Sequence, residues 1–186
     1  ALYGSLRGAA QLFSFEMCFI TLLLPLFILN NSFNIICIIE SQKNYWNFLL
    51  FPFSALYFYI IILAETNRIP FDLPEAEAEL VAGYNVEYSA INFAMFFLAE
   101  YTNMLLNSII YVSFFFGGWY FPGMSFIYLP FNLLIFNLKI VFIACLFILV
   151  RALLPRYRYD QLMVLCWKKL LPLSFSFVFY FVFLIY

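Results

Sequence analysis

Pro130-Phe-Asn-Leu-Leu-Ile-Phe-Asn-Leu-Lys139-Ile-Val-Phe-Ile-Ala-Cys-Leu-Phe-Ile-Leu-Val150 is a run in which Lys139 is the only charged residue. A helix rising about 1.5 Å per residue carries such a run across roughly 30 Å of hydrocarbon. It therefore reads as a membrane-spanning helix. Working outward, four more stretches have the same character: about 8–29 with Glu16 its one charge, 45–64 with none, 88–116 with only Glu100, and 170–186 with none. Strands of a membrane barrel would alternate polar and apolar residues over about ten positions, and these runs do not. The expected fold is an all-α integral membrane protein. Its single transmembrane domain, 1–186, has about five helices and a short acidic helical segment in the loop 65–87.

Composition agrees. Of 186 residues, 67% are hydrophobic and 10% charged, against about 25% charged in an ordinary soluble domain. That leaves too little polar surface to wet a globule, which excludes a soluble enzyme and a disordered chain. Nine basic residues balance ten acidic ones, so a nucleic-acid partner is excluded as well. The sequence has no histidine, and its four cysteines, Cys18, Cys37, Cys145 and Cys166, show no C-x-x-C spacing. They read as packing residues rather than as metal ligands or a disulfide framework. No glycine-rich nucleotide loop occurs. Any redox centre is expected on another chain.

Loop charges orient the bundle. Five spans put the start of the chain, loop 65–87 and loop 151–169 on one side, with Arg7, Arg68, Arg151, Arg156, Arg158, Lys168 and Lys169. Lys43 stands alone on the other. This bias places the loaded side in the cytoplasm or mitochondrial matrix.

The acidic loop reads Glu65-Thr-Asn-Arg68-Ile-Pro-Phe-Asp72-Leu-Pro-Glu75-Ala-Glu77-Ala-Glu79-Leu-Val-Ala-Gly83-Tyr-Asn-Val-Glu87, six carboxylates against one arginine. Asp72, Pro74 and Glu75 have the pattern of a helix start, and Gly83 that of its end. Acids at a helix N-terminus account for Glu75 and Glu77. They leave Glu79, Glu65 and Glu87 without a structural reason. Carboxylates crowded beside a low-dielectric boundary are expected to hold protons more tightly than usual, which suits proton exchange. Arg68 is the counter-ion or an anchor.

Glu16 and Glu100 lie about eleven residues from the loaded end of their spans, roughly 16 Å deep, with Lys139 somewhat beyond. An ionised side chain there costs at least about 2.5–3.5 kcal/mol on insertion scales. Ion pairing, such as Glu100 with Lys139, is the structural explanation. A hydrated proton relay running Glu65, Glu87, Glu16, Glu100, Lys139 is the functional one, and Asn92, Asn103 and Asn107 share a face with Glu100. The segment Arg151 to Asp160, with Arg156 and Arg158 among tyrosines, suits lipid headgroups or docking of a peripheral subunit.

The stretch Ala64 to Tyr88 resembles the signature loop of the NADH dehydrogenase subunit 1 family of respiratory complex I, which has bacterial as well as mitochondrial members. Gly4 to Glu16, Ala99-Glu-Tyr-Thr-Asn103 and Arg151 to Gln161 agree with it. The family has eight transmembrane helices, and this chain resembles the last five. A separate chain carrying the first half, or a fragment of a longer one, is expected.

The resemblance implies a core membrane subunit of proton-pumping NADH:ubiquinone oxidoreductase. It would close the quinone chamber with the 49 kDa and PSST-type subunits, beside neighbouring membrane-arm subunits. On matching positions it makes Glu16, Glu65, Glu87 and Glu100 channel acids. Arg68, Asp72, Glu75, Glu77 and Glu79 become the loop joining the quinone cavity to them. Ubiquinone is then the substrate at a shared site, and NADH, FMN and iron–sulfur clusters belong to other subunits. The implied location is the mitochondrial inner membrane, or the bacterial plasma membrane, with the two charged loops on the matrix side. The rival reading is a proton- or cation-coupled secondary transporter using the same buried acids.

Overall fold

The structure, a computed structural model, describes residues 2–72, 90–122 and 129–185, and everything described is helix or short connection. In chain order the elements are α1 (Leu2–Asn30), α2 (Ile35–Ser41), α3 (Asn47–Leu50), α4 (Pro52–Glu65), α5 (Ala90–Phe115), α6 (Leu129–Leu153), α7 (Tyr159–Leu165), a π-helical turn (Cys166–Leu170) and α8 (Leu171–Ile185). Leu2–Asn30, Ala90–Phe115, Pro130–Leu153 and Tyr159–Phe183 are each long and apolar enough to cross a membrane. The chain is an all-α integral membrane protein.

Two elements differ from the sequence reading. The run 45–64 was expected as one helix. It is two, because Pro52 has no N–H to continue a helix and disfavours the helical conformation at Phe51 before it. Pro52 instead opens α4 in the first turn, where its missing donor is harmless. The resulting α4 has 14 residues, about 21 Å of rise. The second difference is the basic loop 151–169. Only Leu154–Arg158 is non-helical there, and the chain is helical again from Tyr159 onward. Leu162, Cys166 and Leu170, spaced by four, are buried and give this segment one inward face despite Lys168 and Lys169 on its exterior.

α1 packs between α4 and α8, and α5 packs against α2, α4 and α6. The core they share is built from Phe15, Cys18 and Leu22 of α1, Phe58 and Ile62 of α4, Phe115 of α5, and Phe147 of α6. Outside it, apolar side chains such as Phe13, Ile20, Leu98, Leu138 and Phe183 stay exposed, as a lipid-facing or partner-facing surface requires. α1 ends at Asn31, which takes a left-handed φ of 49°. α5 ends at Gly117 and Gly118, with φ of 66° and 54°, the glycine-type helix stop.

Candidate functional site

At the acidic-loop end, α1 holds the segment that leaves α4. Gln11 is 1% exposed, and its Nε2 donates to Asn67 Oδ1 (3.2 Å) and to the Phe71 carbonyl (3.0 Å). The connection after α6 grips the same segment from the other side. The Tyr157 N–H donates to the Pro70 carbonyl (3.0 Å). The Tyr157 ring lies nearly parallel to Phe71, 5.7 Å between centroids. Arg156 Nη2 stands 3.7 Å from Asp72 Oδ2, and the Asp72 carboxylate is almost fully buried. The first residues of the acidic loop and the basic segment are thus sewn together within one chain, although sequence reading gave Arg156 to a docking partner. Arg151, Arg158 and Asp160 remain exposed.

Arg68 sits inside this knot, 8% exposed. Its guanidinium carbon lies 4.5 Å from the ring centroid of Tyr101, next to Glu100 in sequence. Its Nε and Nη2 are buried and have no hydrogen-bond partner among the described residues. The Gln11 Oε1 and Glu65 Oε2 atoms share that condition. Unsatisfied buried groups are rare, and each is costly to leave unmade.

Of the acids singled out by sequence, Glu65 and Glu16 come close enough to interact electrostatically. Glu65 is half-buried at the end of α4, and Glu16 lies exposed on α1. Glu100 is half-buried in the first half of α5, and further along that helix Asn107 Nδ2 donates to Asn103 Oδ1 (3.3 Å). Asn92 is exposed. Glu75, Glu77, Glu79 and Glu87, with the short helix expected around them, lie outside the described residues.

Lys139 is found elsewhere. Its ammonium donates to the carbonyls of Phe116 (2.7 Å), Gly118 (2.9 Å) and Tyr120 (2.8 Å), and it stands 4.8 Å from the Trp46 ring centroid. It therefore closes the C-terminal end of α5, whose last carbonyls lack partners within the helix and carry partial negative charge. Glu100 is some sixteen residues back along α5, about 24 Å, so the two do not pair. Two amides beside Lys139 complete this end. Gln42 Nε2 donates to the Ser113 carbonyl (3.1 Å), and its Oε1 accepts from the Gly117 N–H (3.1 Å). Asn47 Nδ2 donates to the Phe114 carbonyl (2.9 Å). Sequence reading missed Gln42 and Asn47. The signal available was two amides near a proline-broken span.

Cys18 and Cys166 meet although nothing in their spacing suggests it: the two buried thiols are hydrogen-bonded at 3.6 Å without a disulfide, and the Cys166 thiol donates to the Ser14 carbonyl at 3.4 Å. They still serve packing, joining α1 to the π-helical turn.

Residues 1–182 match a protein family described as NADH dehydrogenase. The NADH-ubiquinone oxidoreductase chain 1 of Chondrus crispus is 51% identical over 181 residues, which cover 96% of this chain and 55% of that relative. A subunit of the NADH-quinone oxidoreductase of Neorickettsia sennetsu is 50% identical over 175 residues, 92% of this chain and 52% of the relative. The corresponding subunit from Rickettsia conorii is 46% identical over 182 residues, 96% and 53% respectively. The chain spans about half the length of the curated relatives it matches.

Proposed function

Because the chain belongs to the NADH dehydrogenase family, we propose that it forms the second half of a membrane subunit of a proton-pumping NADH:quinone oxidoreductase. Its acidic-loop end would be part of the quinone chamber, and its carboxylates would couple quinone reduction to proton translocation. The membrane is the mitochondrial inner or bacterial plasma membrane, with the acidic loop on the matrix or cytoplasmic side. Quinone-module subunits of the 49 kDa and PSST types and membrane-arm neighbours are the partners. NADH, FMN and iron–sulfur clusters stay on those other subunits.

The observation that carries this reading is the juxtaposition at the loop end. Arg68, with buried N–H groups that find no acceptor among the described residues, lies against Tyr101 of α5. Glu65, three residues before it, faces Glu16 of α1. One loop thus touches both helices that bear intramembrane acids. In this scheme quinone reduction changes the charge beside Asp72, Glu75, Glu77 and Glu79. The loop shifts, and the field at Glu65, Glu87, Glu16 and Glu100 changes with it, so that protons move between them. The chain performs no covalent step. Lys139, with its three protons on carbonyls, fixes the far end of α5 rather than extending the series.

Replacing Glu16 and Glu100 together by Gln is expected to abolish proton transport linked to quinone reduction while the assembled enzyme still forms. Proton uptake and electron transfer measured side by side in proteoliposomes decide it. An unchanged proton-to-electron ratio in the double variant would overturn the relay.

A further inference from the structure

Away from the acid series, between α6 and the end of α5, lies a cavity of about 430 Å³ lined by Trp46, Phe116, Phe131, Ile135, Leu138 and Phe142, with Phe121, Ile143 and Lys139 completing its wall. Its lining is apolar, and the two polar groups that reach it are already engaged. The Lys139 ammonium is bound to three carbonyls, and the Trp46 indole N–H donates to the Tyr120 carbonyl (3.4 Å). A ligand inside it therefore finds no donor to recognise and has to be hydrocarbon. Just outside this lining, Lys43 is exposed and lies 5.1 Å from the ring centroid of Tyr120, the residue before Phe121 of the wall, whose carbonyl is the one that Trp46 and Lys139 share. It is the only basic residue expected at that end of the bundle.

We propose that this groove binds one acyl chain of an anionic phospholipid from the leaflet opposite the acidic loop, with the lipid phosphate on Lys43. Apolar depth with a single cation at the mouth complements such a molecule at both ends. Phe131, Leu138 and Phe142 are exposed along the groove, so a chain enters sideways from the bilayer. Seated there, it covers the apolar side of the layer that closes α5 and keeps water from the Lys139 carbonyl contacts.

The test uses the assembled complex containing the chain, in phosphatidylcholine vesicles doped with phosphatidylglycerol that carries a diazirine on its acyl chain. After illumination, peptide mapping is expected to find the label concentrated at Ile135, Leu138 and Phe142. Phe179 and Phe183 of α8, equally open to lipid, should be labelled far less. Excess unlabelled phosphatidylglycerol should remove the groove label. Lys43→Glu should lower it at least about five-fold, the effect of losing one lysine beside an anionic lipid, and Leu138→Trp should exclude the chain by filling the groove. Uniform labelling of α6 and α8 would mean bulk lipid only. A groove crosslinked to another polypeptide would mean that a helix covers it. Undiminished labelling in Lys43→Glu would remove the headgroup contact. Each of these results overturns the proposal.

Discussion

The C-terminal end and the middle of α5 differ in how completely the polar groups around them are satisfied. At its C-terminal end, one lysine and two amides answer the last carbonyls and the Gly117 N–H. Near its middle, where Tyr101 meets Arg68, buried nitrogens and oxygens of Arg68, Glu65 and Gln11 find no partner among the described residues. A fully satisfied network rigidifies, whereas an unpaired buried polar group is costly. The helix is therefore clamped at its C-terminal end, and the unanswered groups gather beside its middle, where the chemistry is proposed.

Mutations at the two places should separate cleanly. Lys139→Met removes three charge-assisted hydrogen bonds and is expected to cost about 3 kcal/mol or more, read as a lower unfolding midpoint in detergent and a poor yield of assembled protein. A normal midpoint with proton transport lost would instead return Lys139 to the relay. Gln42→Leu strands the buried Gly117 N–H, which Gln42 Oε1 now accepts, and the Asn47 N–H as well. It is expected to cost about 2 kcal/mol on the same assay.

Gly117→Ala comes next. A left-handed φ costs a non-glycine residue roughly 1–2 kcal/mol, and the added Cβ would meet Trp46 Cδ1 at 2.9 Å. Arg68→Gln should be the mildest for stability, shifting it by no more than about 1 kcal/mol in either direction, since mainly a cation–π contact and a buried charge are removed. It is nevertheless expected to lower quinone-linked proton transport, measured as the proton-to-electron ratio. A large loss of stability in Arg68→Gln with normal coupling would invert the comparison between the two places.

Much of this was legible in the residues. Long apolar runs announce spans because a bilayer demands a minimum length of helix. Pro52 was legible too, since a proline that cannot sit inside a helix can begin one, but the surrounding hydrophobicity of 45–64 concealed the break. The early start of the last helix was hidden by Lys168 and Lys169, whose charge reads as loop until Leu162, Cys166 and Leu170 are seen to share a face. Lys139 was visible as a charge out of place, yet its partners were not. They are backbone carbonyls, which every residue carries and no side chain advertises. Cys18 and Cys166, 148 positions apart, have no local pattern that would bring them together. The acids Glu16 and Glu65 were singled out by type and depth, and their mutual approach depended on how α1 packs on α4.

The shortness of α4 has a geometric consequence. Its 14 residues rise about 21 Å, against roughly 30 Å of hydrocarbon, and the remaining depth is occupied by α2, α3 and the amides of Gln42 and Asn47 rather than by a continuous apolar rod. A helix that short cannot reach both surfaces of the hydrocarbon by itself, so the crossing at this place is shared among three short helices, and the bends between them sit inside the protein, where Gln42 and Asn47 are buried.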